Sequence, residues 1–314
     1  MKARLIRGLD NIIPAPAGRV ITIGNFDGVH LGHQALLAKV REKAQDLKLP
    51  SLVMTFEPQP FEFFAKGKCA PRLTRCREKF CLLTQYGIDQ VLVVNFNEQF
   101  AAVSADQFTH EILGNALRAK YVMVGDDFRY GHARQGSFAT LKEAGKQIGF
   151  EVAEMPTVVF SGERVSSTRV RNALLNADHV LAEQLLGRPY AMIGRVVHGD
   201  KRGRTLGFPT ANIYLHRAET PVHGIYVVRM HGIANKPLPG VANVGTRPAV
   251  GGTRSLLEVY LFNFSQEIYG RHVSVEFCEK LRDEEYYPNL ELLTEQITKD
   301  AAKARHYFEM RGEL

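Results

Sequence analysis

Gly24-Asn25-Phe26-Asp27-Gly28-Val29-His30-Leu31-Gly32-His33 is the stretch whose reading decides the fold. It follows a short apolar run, Arg19 to Gly24 (RVITIG), and leads into Gly32 to Lys48, whose apolar residues recur at helical spacing. A strand, a glycine-containing turn and a helix in that order suggest an α/β unit. The same alternation repeats downstream. Ser51 to Phe56, Gln90 to Asn95, Lys120 to Gly125 and Phe150 to Met155 read as strands. Thr74 to Tyr86, stopped by Gly87, and Phe138 to Ile148, closed by Gly149, read as helices. Ser104 and Gln107 form a capping box ahead of Phe108 and Ile112. Apolar runs separated by amphipathic helices predict a doubly wound parallel sheet. Ligands of such sheets bind beyond the carboxyl ends of the strands, which directs attention to the loops after Gly24, Phe56 and Val124.

The pattern changes near Gly187-Arg188-Pro189. Helical periodicity then disappears for about a hundred residues, and short strands punctuated by Gly and Pro take its place. Ala191 to His198, Ile225 to Met230, Leu256 to Asn263 and Val273 to Leu281 predict a compact antiparallel β-barrel. A terminal helix follows, capped by Asn289, with Leu290, Leu293, Ile297, Ala301, Ala304 and Phe308 on one face. The expected organisation is an α/β domain over residues 1–186 and a barrel domain over residues 187–314.

At 314 residues the chain is long for one core and comfortable for two. No apolar run approaches the roughly 20 residues of a membrane helix. Lys2, Arg4 and Arg7 are not followed by the apolar stretch of a secretory signal, so a cytoplasmic protein is expected. Cys69, Cys76, Cys81 and Cys278 include no C-x-x-C pair, which argues against a disulfide framework or a zinc site. The net charge of +7 suits anionic ligands. Without basic blocks or aromatic–basic interleaving it points to nucleotides rather than to nucleic acid. With no apolar patch pattern, a monomer is the default.

In the opening stretch the glycines let the backbone approach a phosphate, and the helix start offers free N–H groups and a positive dipole end. His30 and His33, three apart at that start, can face one phosphoryl group and stabilise charge as it develops. Ser167 and Thr168 precede the helical run Val170 to Leu175; they could cap it, meet phosphate, or do both. Arg164 and Arg169 could neutralise a polyphosphate. Asp127 could hold a ribose or an amine, and Phe128 could be core. No G-x-x-x-x-G-K-[ST] loop occurs, so a kinase activity would not be of the P-loop type. Gly199 to Gly207 is glycine-rich and basic, with Lys201, Arg202, Gly203 and Arg204; it reads equally as a flap over a polyphosphate and as an exposed loop. Thr210 and Asn212 would share a face if extended, where their oxygens could hold Mg²⁺, or they could belong to a turn after Pro209. Glu258 could be a general base or an outward strand residue.

The H-x-G-H core resembles that of the nucleotidyltransferase superfamily. The longer G-x-F-D-G-V-H-x-G-H form resembles the N-terminal domain of bacterial bifunctional riboflavin kinase/FAD synthetases. Thr55 to Pro60 (TFEPQP), Gly125 to Gly131 (GDDFRYG) and Arg164 to Arg169 (RVSSTR) are similar to three further segments of that family, in order. In the second half, Gly207-Phe208-Pro209-Thr210-Ala211-Asn212 resembles the riboflavin kinase signature, and Asn243 to Pro248 (NVGTRP) and Glu258 match its later segments. The resemblance implies a Rossmann-like nucleotidyltransferase domain followed by a riboflavin kinase barrel. It implies phosphorylation of riboflavin to FMN and adenylylation of FMN to FAD, with ATP as co-substrate and Mg²⁺ as cofactor. It implies His30, His33 and Glu258 as catalytic residues. Nucleotide or flavin contacts are implied for Gly24, Phe26, Asp27, Gly28, Asp127, Phe128, Arg164, Ser167, Thr168, Gly199, Lys201, Gly203, Arg204, Gly207, Phe208 and Pro209, and Mg²⁺ contacts for Thr210 and Asn212. A flavin sensor without turnover would need none of the three catalytic residues.

Overall fold

The computed structural model describes residues 3–65, 69–199, 207–217, 219–249 and 252–314. Two compact units emerge: Met1–Ala70 with Thr74–Ser167, and Pro71–Leu73 with Thr168–Leu314.

The first unit is built on six parallel strands: β1 (Arg4–Arg7), β2 (Arg19–Ile23), β3 (Ser51–Glu57), β4 (Gln90–Asn95), β5 (Ala119–Gly125) and β6 (Glu151–Met155). Their order is β1-β4-β3-β2-β5-β6. The order reverses beside β2, so the crevice between the carboxyl ends of β2 and β5 is the topological switch point. Side chains alternate across the sheet. Ile21, Ile23, Leu52, Met54, Val122 and Val124 feed one apolar cluster, while Val20, Val53, Val91 and Met123 feed another. The helix α1 (Leu31–Leu47) brings Leu36, Leu37, Val40 and Ala44 to the second cluster. The other helices are α2 (Pro60–Ala65), α3 (Cys76–Gln85), α4 (Glu98–Ala101), α5 (Ala105–Gln107) and α6 (Phe138–Ile148). Ser104 and Gln107 close the expected capping box at 3.1 Å in each direction. The turns beyond it widen into a π-helix, Phe108–Ala116, ended by an N–H of Leu117 that reaches the Ile112 carbonyl at 2.9 Å. A short hairpin, β7 (Val159–Phe160) and β8 (Glu163–Arg164), precedes α7 (Ser167–Leu175) and α8 (His179–Leu186).

The second unit contains a closed antiparallel barrel of β9 (Ala191–Val197), β10 (Thr210–Tyr214), β11 (Gly224–His231), β12 (Leu238–Ala249), β13 (Gly252–Leu261) and β14 (His272–Arg282), in the order β10-β13-β12-β11-β14-β9. Leu257, Val259, Val244, Ala242 and Ile213 point inward and are buried. Val227, Val241 and Phe262 point outward and meet Ala301, Ala304 and Phe308 of the terminal helix α9 (Leu290–Glu309). The apolar face expected for α9 holds from Leu293 onward, but Leu290 is exposed at its first turn. Asp300 of that helix is buried and takes a bidentate pair from Arg282, with Nη2 at 2.7 Å. Such forked charge-assisted bonds fix orientation as well as adding stability. In the same unit the Leu73 carbonyl accepts from the Tyr190 hydroxyl at 3.1 Å.

Candidate active site

The turn between β2 and α1 departs from ordinary backbone at three residues: Phe26 (φ 49°), Gly28 (φ 80°) and Val29 (φ 44°). A positive φ is costly for a β-branched valine, and its fully buried side chain holds it in place. Hydrogen bonds secure the rest. The Thr74 N–H and hydroxyl donate to Asp27 Oδ1 at 2.9 and 3.1 Å, and the Gly28 N–H donates to Thr74 Oγ1 at 2.9 Å. The Ser167 hydroxyl donates to the Asp27 carbonyl at 2.8 Å, which brings a residue 140 positions away onto the turn. Asp27 is buried, and its carboxylate braces the loop.

His30 is the N-cap of α1; its Nδ1 accepts from the His33 N–H at 3.4 Å. An accepting Nδ1 leaves the proton of a neutral ring on Nε2. The two imidazoles stack with centroids 3.8 Å apart, and the Phe26 ring lies tilted 4.9 Å from His33. Gly32 permits this, because a Cβ there would stand 3.2 Å from the His30 ring. Gly24 likewise leaves room for the Phe26 ring. Burial holds the His33 pKa well below the usual imidazole value, with His30 and the Lys79 charge adding to the effect. His33 is therefore neutral at pH 7, and its Nδ1 is buried with no partner among the described residues.

Sequence reasoning passed over Lys79. It is buried on α3, and its ammonium donates to Thr55 Oγ1 at 3.2 Å, while the Thr55 hydroxyl donates to the Asn25 carbonyl at 3.2 Å. A lysine inside an amphipathic pattern reads as a solvated face; only the tertiary fold turns this one inward. Gln59 was passed over too. Its side chain is fully buried, and neither amide atom finds a partner among the described residues.

Beyond β5, Phe128 caps a turn with its N–H on the Gly125 carbonyl and stacks on Tyr130 at 5.6 Å. Arg164 on β8 pairs with Asp127 at 2.8 Å and Asp126 at 3.5 Å. All three are well exposed, so the pairing is worth little and opens to a ligand at small cost. Thr168 is exposed on the first turn of α7.

On the barrel, residues 210–214 are extended, so Thr210 and Asn212 do share a face. The register sets Asn212 beside Glu258, and Glu258 beside Asn243. Its neighbours Leu257 and Val259 point into the core, so Glu258 points outward, as a strand position of that kind should. Outward here means into a polar row flanked by the residues under α9. Thr210 is paired with Tyr260, whose ring meets Phe208 edge-on at 5.3 Å. Gly207 takes a positive φ of 84° immediately before Phe208 and Pro209. Gly199 lies against Asn212: a Cβ there would come within 2.3 Å of the amide. Lys201, Gly203 and Arg204 lie outside the described residues. Among the described residues no three His, Cys, Asp or Glu side chains gather as a metal site. The hydroxyl and amide oxygens of Thr210 and Asn212 are hard donors of the kind Mg²⁺ takes.

A strand–turn–helix with stacked histidines at a switch point is thus followed in one chain by a closed barrel with this polar row, and the comparisons give each part its enzyme class, a nucleotidyltransferase and then a kinase. Residues 12–169 match the FAD synthetase family and residues 186–308 the riboflavin kinase family. The bifunctional riboflavin kinase/FMN adenylyltransferase of Escherichia coli K12 is 50% identical over 97% of this chain and 98% of its own length. That of Haemophilus influenzae is 49% identical over 97% and 99%. A protein of Streptococcus pneumoniae described as a macrolide-efflux protein shares the fold in its crystal structure, with TM-score 0.79, 31% identity and coverage of 95% and 97%. Efflux is said of that protein; among the described residues here no helix is long and apolar enough to cross a membrane. The chain belongs to the bifunctional riboflavin kinase/FMN adenylyltransferase family.

Proposed function

We propose that residues 187–314 phosphorylate riboflavin to FMN and that residues 1–186 then adenylylate FMN to FAD, each step consuming ATP. The two activities themselves follow from family membership. The observation that carries the reading is that each half matches its own enzyme family separately, over nearly the whole chain. Incubating the protein with riboflavin, ATP and Mg²⁺ and separating the flavins over time tests it. FMN should appear first and FAD later. Riboflavin left unchanged while added FMN becomes FAD would reject a working barrel.

In the adenylylation step, an oxygen of the FMN phosphate attacks the α-phosphorus of ATP and the bond to pyrophosphate breaks. The residues assigned are His30 and His33, whose imidazole N–H groups stabilise charge on the α-phosphoryl oxygens. Gly24, Phe26, Asp27 and Gly28 shape the turn that admits the phosphates. Ser167, Thr168 and Arg164 meet polyphosphate, and Asp127 and Phe128 meet nucleoside or flavin. In the kinase step, Glu258 takes the proton of the terminal riboflavin hydroxyl as that oxygen attacks the γ-phosphorus and ADP leaves. Thr210 and Asn212 would hold Mg²⁺, which supplies charge neutralisation on the phosphates when bound. Gly199, Gly207, Phe208 and Pro209 are assigned to nucleotide or flavin contacts, as are Lys201, Gly203 and Arg204, which lie outside the described residues. The compartment proposed is the cytoplasm and the working unit a monomer.

Two smaller effects follow from the geometry. Lys79 carries a positive charge near His33, so Lys79→Met removes one of the influences that lower the His33 pKa. The neutral, functional form of His33 persists above its lowered pKa and is lost as pH falls through it. The acid limb of the FMN-to-FAD rate profile should therefore move to higher pH in Lys79→Met. An unmoved limb would show that the limb belongs to another group. Gly199→Ala drives a methyl into the Asn212 amide, which is too short to swing clear. Riboflavin phosphorylation should fall at least about tenfold, since small displacements at a reacting site are costly, while FMN adenylylation is unchanged.

A further inference from the structure

Asn243 stands in the polar row of the barrel, one strand beyond Glu258 and two beyond Asn212. Its strand neighbours Ala242 and Val244 are buried inward, so its side chain lies on the same outer face as Glu258. The Asn243 Oδ1 atom is buried, yet it accepts no hydrogen bond among the described residues. A buried amide oxygen without a donor is costly, and native folds keep such groups mainly where something else satisfies them. Among the described residues none supplies that donor, which leaves the oxygen open to a hydroxyl of a bound molecule.

The order across the sheet says what kind. On the reading proposed above, the phosphate side of the reaction lies at β10, with Thr210 and Asn212, and the proton acceptor at β13, with Glu258. The acceptor hydroxyl must lie between these two. A substrate laid along the row continues past Glu258 toward β12. Adjacent strands are about 4.8 Å apart, a span of roughly four carbon–carbon bonds, which lies within the length of a ribityl chain. Beyond Asn243 the row reaches Ile225, which packs against the apolar cluster on this face, before Arg282 of β14. Base, amide acceptor and apolar side chain thus follow in the sequence in which riboflavin presents its terminal hydroxyl, its other ribityl hydroxyls and its ring.

We propose that Asn243 is a substrate-positioning residue of the kinase site, its Oδ1 accepting a hydrogen bond from a ribityl hydroxyl adjacent to the one that is phosphorylated. This rests on the assignment of Glu258 as the base and adds a contact that sets the reacting hydroxyl against it. The contact also gives a basis for selecting a polyol chain over an alkyl chain on the flavin, because an alkyl chain leaves the buried oxygen unpaired.

The test compares wild type, Asn243→Ala and Asn243→Leu in three measurements: KM for riboflavin and KM for ATP in the kinase reaction, and thermal melting. Both variants should raise KM for riboflavin at least tenfold, leave KM for ATP within twofold and convert added FMN to FAD at the wild-type rate. Asn243→Leu keeps the branched shape and removes the unpaired oxygen, so it should melt no lower than wild type. A riboflavin KM unchanged in both variants overturns the proposal. So does an equal rise in the two KM values together with lowered melting of both variants, which would make Asn243 a structural residue. Failure of wild type to phosphorylate riboflavin would instead reject the reading of the barrel, and is seen before any variant is made.

Discussion

His33→Ala lowers the conversion of FMN to FAD by about 10²–10³-fold and leaves phosphorylation of riboflavin at its starting rate, the loss expected when one preorganised donor to a developing oxyanion is removed. The reason lies in how the imidazole is held. The His33 ring is stacked on His30 at 3.8 Å, met by the tilted Phe26 ring at 4.9 Å, and kept neutral by burial. A neutral, oriented N–H needs no rearrangement as charge builds on the phosphoryl oxygens. His30 carries a second duty as the cap of α1, so alanine there would confuse helix stability with catalysis. His30→Asn keeps a capping oxygen and removes the ring. It should also lose most FAD synthesis while melting near wild type. Because the stacked rings act as a unit, the double variant should be little worse than either alone. The measurement is flavin chromatography with FMN, then riboflavin, as the starting flavin. Parallel loss of both activities in folded protein would reject two separate sites.

The second large effect is the mirror image. Glu258→Gln should lower riboflavin phosphorylation by about 10²–10⁴-fold, the usual range for loss of a general base, with KM for riboflavin little changed. Glutamine keeps the shape of the side chain and its place between Asn212 and Asn243, but cannot take the hydroxyl proton. Added FMN should still become FAD at the wild-type rate. A kinase rate within a few fold of wild type would remove Glu258 from the mechanism. Together the two variants should complement each other: mixed in one tube, they should carry riboflavin through to FAD, with FMN passing between molecules.

Some of the fold and sites was legible in the sequence because it is local. The helices Leu31–Leu47, Cys76–Gln85 and Phe138–Ile148 carry periodic apolar residues and glycine or left-handed stops, and each stands within two residues of expectation. Elements that depend on partners were less visible. The edge strand Arg4–Arg7 is four residues long, with arginines at both ends, and is a strand because it pairs with Gln90–Val93. Leu238–Ala249 is the longest barrel strand, yet Pro239, Gly240, Gly245 and Pro248 give it the look of a loop. Gly240 is required there because a Cβ would meet the Tyr260 carbonyl at 2.5 Å. Such contacts come from across the sheet and leave no period along the chain.

By itself the sequence determined the two-part organisation, the strand–turn–helix with His30 and His33 at its helix start, and the Phe208 to Asn212 segment, since each is a matter of residue order and short-range spacing. The tertiary structure alone decided what those residues face. It turned Lys79 inward toward His33, brought Ser167 onto the Asp27 turn, and set Asn212, Glu258 and Asn243 in one row from three separate strands. Burial and cross-strand register are properties of the packed chain, and they fix protonation and orientation, on which the chemistry of both sites depends.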